Sequence, residues 1–344
     1  MMKIEESGIG SLKFTDPDEM REWVRDKKSR FLESKLMTEQ EAIERFVKDG
    51  DYLAFDLALL VRGPSSLERE IVRQRKKNLF LAGKFSFLDC ALLVVGGCVT
   101  RIDCGFMGGG ASHFRAIEKG EVEVVEWSNG TISARFLAGA LGLPFIPWRG
   151  LMGTETFKHS AAKIAIDPFT GKRITLLPAL NPDVALIHAN QCDVYGNARL
   201  FGPGCTPIEV ATASKRLIVS TEEIIDIEEI RKAPAKTTIP YYMVDAVVHA
   251  PFGGHPGAVP GLYDADFEHM NEFFKSERDP ALMEKYLDQY IYSCKTHQDY
   301  LDKIGKSKLE ELKKREIKEG YYEKEACIYP RRNDDLHGGT SHSR

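Results

Sequence analysis

The chain has 344 residues, enough for two domains or one large α/β unit, and such a length buries a sizeable core without disulfides or metals. Lysine and arginine number 47 against 51 aspartate and glutamate residues, which gives a formal net charge of −4. This weakly acidic balance lacks the positive surface that phosphate-backbone binding requires, so nucleic acid is not an expected partner.

The first predicted element is an exposed helix in the charged stretch MREWVRDKKSRFLESK, residues 20–35. From Leu36 the pattern changes, because Thr38 and Glu41 have the spacing of a capping box and apolar residues then follow at helical intervals. Residues 52–55 are predicted as a short buried strand. Helices and strands then alternate: the helices cover 65–77, 86–94, 112–119 and 131–141, and the strands cover 78–83, 98–106 and 121–126.

Gly142 is a suitable residue to end the last of these helices, and residues 143–147 are predicted to leave the core as an extended segment. Three apolar runs bounded by polar residues are typical of strands buried on both faces of a parallel sheet. They are residues 183–188, 217–220 and 243–248. The alternation predicts an open, mostly parallel α/β sheet flanked by helices. After Tyr263 the sequence is helical and charged, and from about Glu316 it is a polar tail.

The seven cysteines include no C-x-x-C pair, and no histidine follows at zinc-ligand spacing, so neither a disulfide framework nor a structural zinc site is predicted. His113, His249 and His255 are too scattered to indicate another metal site. The N-terminus lacks the apolar region of a signal peptide, and the longest strongly apolar stretch, residues 91–95, is too short to cross a bilayer. We therefore expect a cytoplasmic protein without membrane contact and without a bound metal.

Two turns that follow predicted strands are candidate ligand contacts. Gly108, Gly109 and Gly110 precede a helix that begins near Ser112, and such a turn can hold an anion at the helix N-terminus. The alternative is a turn that merely needs positive φ. The motif is neither G-x-G-x-x-G nor G-K-[ST]. Arg62 follows the first buried strand and could hold a substrate carboxylate by a bidentate bond, the alternative being a solvated loop arginine.

Other polar residues lie where predicted strands end. His188 ends a strand and is followed by Asn190 and Gln191, and ligands of open α/β sheets bind outside the carboxyl ends of strands. A lone histidine is more commonly a hydrogen-bonded core residue. Glu126 ends another strand beside Trp127, and a carboxylate against an aromatic ring can have a raised pKa and act as base or nucleophile. The alternative is a loop glutamate that caps the next helix.

Five segments together resemble the alpha subunits of family I CoA-transferases, most closely those of the glutaconate type. They are SKLMTEQEAIERFVKDGDYLAF (34–55), ALGLPFIPWRGLMGTE (140–155), NPDVALIHANQCDVYGNARLFG (181–202), EEIIDIEEIR (222–231) and MVDAVVHAPFGGHPGAVPGLYDAD (243–266). The likeness covers residues 34–310 in unbroken order. We accordingly divide the chain into an N-terminal helical extension, an α/β CoA-transferase domain, C-terminal helices of the same unit and a polar tail, which are residues 1–33, 34–265, 266–315 and 316–344.

The resemblance implies a heterotetramer of two alpha and two beta subunits, or a multiple of it, in which the homologous beta subunit has the same fold. The implied reaction moves CoA from an acyl-CoA thioester to a small carboxylic acid without metal or organic cofactor, coenzyme A itself being a substrate. A glutamate of the beta subunit attacks the thioester, and backbone N–H groups stabilise the oxyanion. The alpha subunit would shape the acid-binding side of a shared cleft. The candidate lining residues are Arg62, Gly108, Gly109, Gly110, Ser112, Glu126, Asn190 and Gln191.

One segment departs from the family pattern. The family usually has a G-G-F sequence before the Arg-x-Pro turn, whereas this chain has Asp56, Leu57 and Ala58, whose bulk would narrow a backbone-lined pocket. The stretch 105–113 is also shorter than in the glutaconate enzymes. The resemblance extends to relatives that hydrolyse or decarboxylate CoA esters, and in the one that opens a cyclic β-diketone during steroid-ring degradation it implies a role for an alpha-subunit glutamate near the position of Glu126. A CoA-thioester hydrolase or lyase that opens a cyclic diketone, with Glu126 as base, is therefore an alternative, and a non-catalytic CoA-ester binding subunit is another.

Overall fold

The computed structural model of the chain describes residues 3–108 and 110–319, with the backbone alone for 317–319. The strands in this part are β1 (Ile4–Ser7), β2 (Tyr52–Asp56), β3 (Leu79–Ser86), β4 (Val99–Met107), β5 (Glu123–Glu126), β6 (Phe145–Trp148), β7 (Lys163–Ile166), β8 (Arg173–Pro178), β9 (Val184–Cys192), β10 (Ala198–Arg199), β11 (Arg216–Ile224) and β12 (Ala246–His249). The α-helices are α1 (Pro17–Lys27), α2 (Glu39–Phe46), α3 (Ser65–Arg73), α4 (Leu88–Val95), α5 (Ala111–Glu118), α6 (Asn129–Ala140), α7 (Glu155–His159), α8 (Pro207–Ala213), α9 (Ile227–Lys232), α10 (Phe267–Ser276), α11 (Pro280–Leu287), α12 (His297–Ile304) and α13 (Lys306–Glu319).

The larger sheet is parallel and confirms the predicted fold class. Its strands lie in the order β12-β11-β9-β2-β3-β4-β5, and the two-residue β10 pairs antiparallel with β9. Residues 184–189 of β9 are all buried, as expected for an apolar strand with neighbours on both sides and helices on both faces. Because these strands run in one direction, their carboxyl ends share one edge of the sheet. We call this edge the carboxyl edge and the opposite one the amino edge.

Two apolar cores cover the two faces of the parallel sheet. Along β2, Leu53 and Phe55 belong to one core and Tyr52 and Ala54 to the other, as the alternation of side chains along a strand requires. The first core is completed by α2, α3, α4 and the C-terminal helices, and the second by α6 and α8. Helices α10 to α12 therefore share a core with the sheet. Residues 320–344, most of the predicted tail, lie outside the described residues.

A second, antiparallel sheet of order β1-β7-β8-β6 was not predicted. Residues 143–147, predicted to leave the core as an extended segment, instead contribute to β6, which pairs with β8 at the edge of this sheet. The pattern concealed the sheet because three of its strands have only four residues each. Pro147 lies within β6, as is possible on an edge strand, which does not need every N–H group for pairing.

The N-terminal extension packs along the amino edge, away from the candidate ligand contacts. Its helix α1 ends at Lys27 rather than continuing to residue 35. The Lys28 ammonium lies 2.8 Å from the carboxylate of Asp245, just before β12, and the Lys13 ammonium lies 2.9 Å from that of Asp183, just before β9. The largely buried Lys28–Asp245 contact ties the residue that follows α1 to the amino edge. No helix among the described residues is long and apolar enough to span a membrane.

Candidate active site

Two loops meet at the carboxyl edge. Residues 57–64 follow β2 and are called turn 57–64, and residues 250–260 follow β12 and are called loop 250–260. Loop 250–260 passes the carboxyl ends of β11 and β9 to reach turn 57–64. The Arg62 N–H donates to the Ala258 carbonyl at 2.9 Å, and the Ala258 N–H donates to the Leu60 carbonyl at 2.7 Å. A Cβ on Gly257 would lie 2.6 Å from the Leu60 carbonyl oxygen, so only glycine allows this approach.

Arg62 lies inside this junction, and its guanidinium contacts groups of its own chain. The side chain is 0% exposed. Its Nη2 donates to the Pro203 carbonyl at 2.6 Å and lies 3.6 Å from an Asp56 carboxylate oxygen. The other Asp56 oxygen accepts the Thr206 N–H at 2.8 Å, and burial raises the pKa of Asp56 while Arg62 opposes that rise. The pair therefore braces turn 57–64 against residues 203–206. Its direct contact with a substrate carboxylate stays a prediction.

The departure at residues 56–58 has a structural explanation. Asp56 and Leu57 are buried, and Asp56 supplies a negative charge 3.6 Å from the buried Arg62 guanidinium. A buried arginine needs such a charge because removal of an ion from water is costly. These two side chains occupy interior space behind the edge, and the narrower pocket stays a prediction.

The predicted anion site at the start of α5 is occupied by a carboxylate of this chain. The Glu277 carboxylate, directly after α10, accepts the Ala111 N–H at 2.9 Å, the Ser112 N–H at 3.2 Å and the Ser112 hydroxyl. Gly110 has φ 62°, and a Cβ there would lie 2.5 Å from a Glu277 oxygen. The turn thus has the chemistry of an anion site. Binding of a ligand by Gly108, Gly110 and Ser112 stays a prediction, and Gly109 lies outside the described residues.

Asn190 and Gln191 are held by neighbouring loops and strands. Asn190 is 1% exposed, donates to the Pro260 carbonyl at 3.0 Å and accepts the Phe201 N–H at 2.8 Å. Gln191 donates to the Glu223 carboxylate at 2.7 Å. Asn190 therefore positions the end of loop 250–260. Contact of Asn190 and Gln191 with a substrate stays a prediction.

His188 is a hydrogen-bonded core residue. Its Nδ1 lies 2.8 Å from the Ser220 hydroxyl and its Nε2 lies 2.7 Å from a carboxylate oxygen of Glu222, whose other oxygen accepts the Phe252 N–H at 2.6 Å. Ser220 and His188 are both 0% exposed, so the Ser–His–Glu arrangement has no access for a substrate. The network instead anchors the start of loop 250–260 through Phe252.

Glu126 is an exposed carboxylate at the carboxyl end of β5. The cap of α6 is made by Ser128 and Thr131, so Glu126 does not cap this helix. Trp127 points into the core and its ring packs against the Arg135 guanidinium at 4.0 Å. Trp127 does not shield Glu126 from solvent, because Glu126 is exposed whereas the Trp127 ring is buried against Arg135. A role of Glu126 as base or nucleophile stays a prediction. Among the described residues, no hydrogen bond or ion pair to the Glu126 side chain is found.

The structure therefore brings some of the predicted residues together and leaves others apart. Arg62 and Asn190 both support loop 250–260, whereas Ser112 contacts the C-terminal region and Glu126 lies at the far strand of the sheet. Sequence reasoning missed Glu277, because no local pattern links it to a turn 165 residues away. Within residues 3–108 and 110–319, no group of three or more metal-ligating side chains could hold a metal ion.

Comparison with known proteins identifies the family. The family model described as Coenzyme A transferase matches residues 36–250. The alpha-type subunit of the 3-oxoadipate CoA-transferase of Pseudomonas knackmussii is 33% identical over 285 residues, covering 80% of this chain and 100% of that protein. The alpha-type subunit of the glutaconate CoA-transferase of Acidaminococcus fermentans is 32% identical over 303 residues, covering 81% of this chain and 95% of that protein.

Comparison of the fold with solved structures gives the same family. The crystal structure of glutaconate coenzyme A-transferase from Acidaminococcus fermentans matches with a TM-score of 0.79 at 30% identity, over 81% of this chain and 96% of that chain. A cholesterol ring-cleaving hydrolase IpdA subunit of Rhodococcus jostii is 31% identical over 247 residues, covering 67% of this chain and 83% of that protein. The chain belongs to the coenzyme A transferase family, in which it is an alpha-type subunit.

Proposed function

We propose that this chain, together with a homologous beta subunit, moves CoA from an acyl-CoA thioester to a small carboxylic acid. The observation that carries the proposal is the match to transferase alpha subunits over nearly their whole length. In this proposal the attacking glutamate belongs to the partner, the complex is a heterotetramer or a multiple of it, and neither metal nor organic cofactor takes part. A cytoplasmic location belongs to the same proposal.

The chemistry of the described residues supports a nucleophile supplied by the partner. Burial raises the pKa of the Cys104 thiol to about 12 and that of Cys98 to about 11, and it holds the pKa of the Cys90 and Cys192 thiols well above the ordinary range. Thiols of this kind carry almost no thiolate at neutral pH and are poor nucleophiles. Ser220, the hydroxyl beside His188, is enclosed. The chain instead offers a shaped edge of backbone and polar groups.

The proposed reaction is tested by reconstitution. The purified chain alone is expected to transfer no CoA, because in this proposal the attacking glutamate is absent from it, whereas addition of the homologous beta subunit restores transfer. Exchange of labelled carboxylic acid into acyl-CoA measures the reaction. Robust turnover by the isolated chain would contradict the proposal.

A CoA-thioester hydrolase or lyase is the second candidate, favoured by the exposure of Glu126 and by the likeness to the cholesterol ring-cleaving hydrolase subunit. If Glu126 is a general base, Glu126→Gln lowers kcat by about 10²-fold or more, since a positioned base contributes about that much. Under the favoured transferase proposal, we expect Glu126→Gln to keep most of the transfer activity. Glu123→Gln, on the same strand, is the matched control, and kcat is measured for hydrolysis and for transfer in the intact complex.

A further inference from the structure

Two buried carboxyl groups lie behind turn 57–64. Glu68 is in the first turn of α3 and Asp89 in the first turn of α4, and their exposures are 1% and 7%. Both line a cavity of about 30 Å³ that is closed on its other side by the C-terminal helices. Asp89 also lines a second cavity, of about 20 Å³, whose opposite wall includes Leu57, Leu59 and Gly63 of turn 57–64.

These two carboxyl groups have few partners. One Asp89 oxygen accepts the Phe87 N–H at 2.9 Å. Among the described residues, Glu68 Oε1 and the nearby buried hydroxyl of Ser86 have no hydrogen-bond partner. A buried oxygen without a partner is costly and is commonly satisfied by ordered water. Each cavity exceeds the roughly 10–15 Å³ that one water molecule needs.

Among the described residues, a single cation, Arg69, lines the cavity that the two carboxyl groups share, and its charge opposes the rise in the pKa of Glu68. Arg69 is the nearest arginine, but its Nη1 donates to the His255 carbonyl at 2.8 Å and its guanidinium stacks at 3.8 Å on the Tyr300 ring. These contacts fix the position of the guanidinium, whose one positive charge faces two carboxyl groups.

Apart from the charged Arg69, the titratable side chains beside the pair, Tyr286, Tyr300 and Cys90, are neutral. Burial holds the pKa of the Cys90 thiol and of the Tyr286 and Tyr300 hydroxyls well above their ordinary values. Turn 57–64 contributes only apolar side chains and glycine to the second cavity. Two full negative charges across a small cavity to which the described residues supply only one guanidinium are disfavoured.

We propose that Glu68 and Asp89 share one proton through water held in the cavity that both line, and that this singly charged pair positions turn 57–64, which Asp89 faces across the second cavity. Supporting this, burial raises the pKa of Asp89 to about 6, and burial together with the Asp89 charge holds the pKa of Glu68 well above its ordinary value. Near neutral pH the pair thus has one charge and one proton. Loss of this remaining proton leaves both carboxyl groups charged. The charges then draw water into the second cavity, below Leu57 and Leu59, and displace turn 57–64. The link to acid binding rests on the proposed function.

Infrared spectroscopy of the full chain at pH 8 tests the shared proton. We expect the carbonyl stretch of a protonated carboxylic acid in the wild type, its loss in Glu68→Gln, and a shifted band in Asp89→Asn, where Glu68 keeps its proton but loses its neighbour. Glu44→Gln, on the exposed face of α2, is the matched control and leaves the band unchanged. The shared proton would be overturned if the wild type shows no band that Glu68→Gln removes. It would also be overturned if Asp89→Asn leaves the band at its wild-type position.

Hydrogen exchange of residues 57–64 tests the positioning role and does not depend on catalysis. Between the ordinary pKa of Glu68 in the opened state and its raised pKa behind the closed turn, opening of turn 57–64 in the wild type is expected to become more favourable by up to about tenfold per pH unit and to level off above that range, after correction for intrinsic exchange. In Glu68→Gln this extra dependence is lost, because the amide stays neutral. Equal pH dependence in both proteins would overturn the positioning role.

Steady-state kinetics of the complex with the beta subunit test the link between turn 57–64 and acid binding. The KM for the carboxylic acid is expected to rise with pH in the wild type in parallel with opening of the turn, and to stay flat in Glu68→Gln, with kcat changed less than KM. If opening of turn 57–64 depends on pH but the KM for the carboxylic acid does not, the turn is not part of the acid-binding wall. Because the infrared and exchange arms need no turnover, an inactive complex would contradict the proposed function and leave the proton-sharing pair standing.

Discussion

Asp103→Ala is expected to have the largest effect on stability in this chain. Asp103 on β4 is fully buried and its carboxylate accepts Arg101 Nη2 at 3.0 Å, while Arg135 Nη1 lies 3.4 Å from it and the Tyr52 hydroxyl donates to it. Its removal leaves two arginines buried without their shared anion. Loss of one partner of a buried ion pair typically costs about 3–5 kcal/mol.

Chemical unfolding of the purified chain measures this loss. The free energy of unfolding should fall by at least about 3 kcal/mol in Asp103→Ala, and a large part of the protein should be insoluble on expression. Glu121→Ala, an exposed position just before β5, is the matched control and should lie within about 0.5 kcal/mol of the wild type. A loss in Asp103→Ala as small as that of the control would show that the buried network around Asp103 contributes little.

The second large effect is expected from Arg62→Met. This change leaves the fully buried Asp56 without its cation, at a cost of about 3–5 kcal/mol when Asp56 is ionised. Since burial already raises the pKa of Asp56 and Arg62 opposes that rise, the variant raises it further. Asp56 is then protonated in the folded state as the pH falls, and the penalty disappears. The deficit of Arg62→Met relative to the wild type is therefore largest near pH 8 and shrinks towards pH 5.

A double-mutant cycle separates the ion pair from packing. Asp56→Asn in the Arg62→Met background removes the unpaired charge, so the double variant should recover part of the lost free energy of unfolding at pH 8 and show little of the pH dependence. Additive losses, or a deficit in Arg62→Met that grows towards low pH, would contradict the proposed brace between Asp56 and Arg62.

Local patterns predicted the parallel sheet well because its signals are short-range. The Thr38–Glu41 capping box is present, with the Glu41 N–H donating to the Thr38 hydroxyl at 3.2 Å. The apolar run at 183–188 is part of β9. The helix predicted over 65–77 ends at Arg73, since Arg75 adopts φ 54° and leaves the helical path. These features follow from residues close to one another in the chain.

The candidate site was less predictable because its decisive contacts join distant residues. The sequence places Arg62 and Ser112 at strand–helix junctions, which the structure agrees with, but it does not show that Asp56 and Pro203 contact Arg62 or that Glu277 caps α5. The orientation of Trp127, and with it the environment of Glu126, depends on which face of β5 is inward. These contacts and orientations are determined by tertiary packing, which the spacing of residues along the sequence does not reveal.

The central claim, that this chain shapes a shared cleft while its partner supplies the attacking oxygen, is tested most directly by locating the covalent intermediate. The complex with the beta subunit is incubated with acyl-CoA in the absence of acceptor acid, digested, and analysed by mass spectrometry for a CoA thioester on a glutamate. We expect the adduct on a peptide of the beta subunit, with all peptides from this chain unmodified, including the one that contains Glu126. An adduct on this chain, formed at the rate of turnover, would contradict the account.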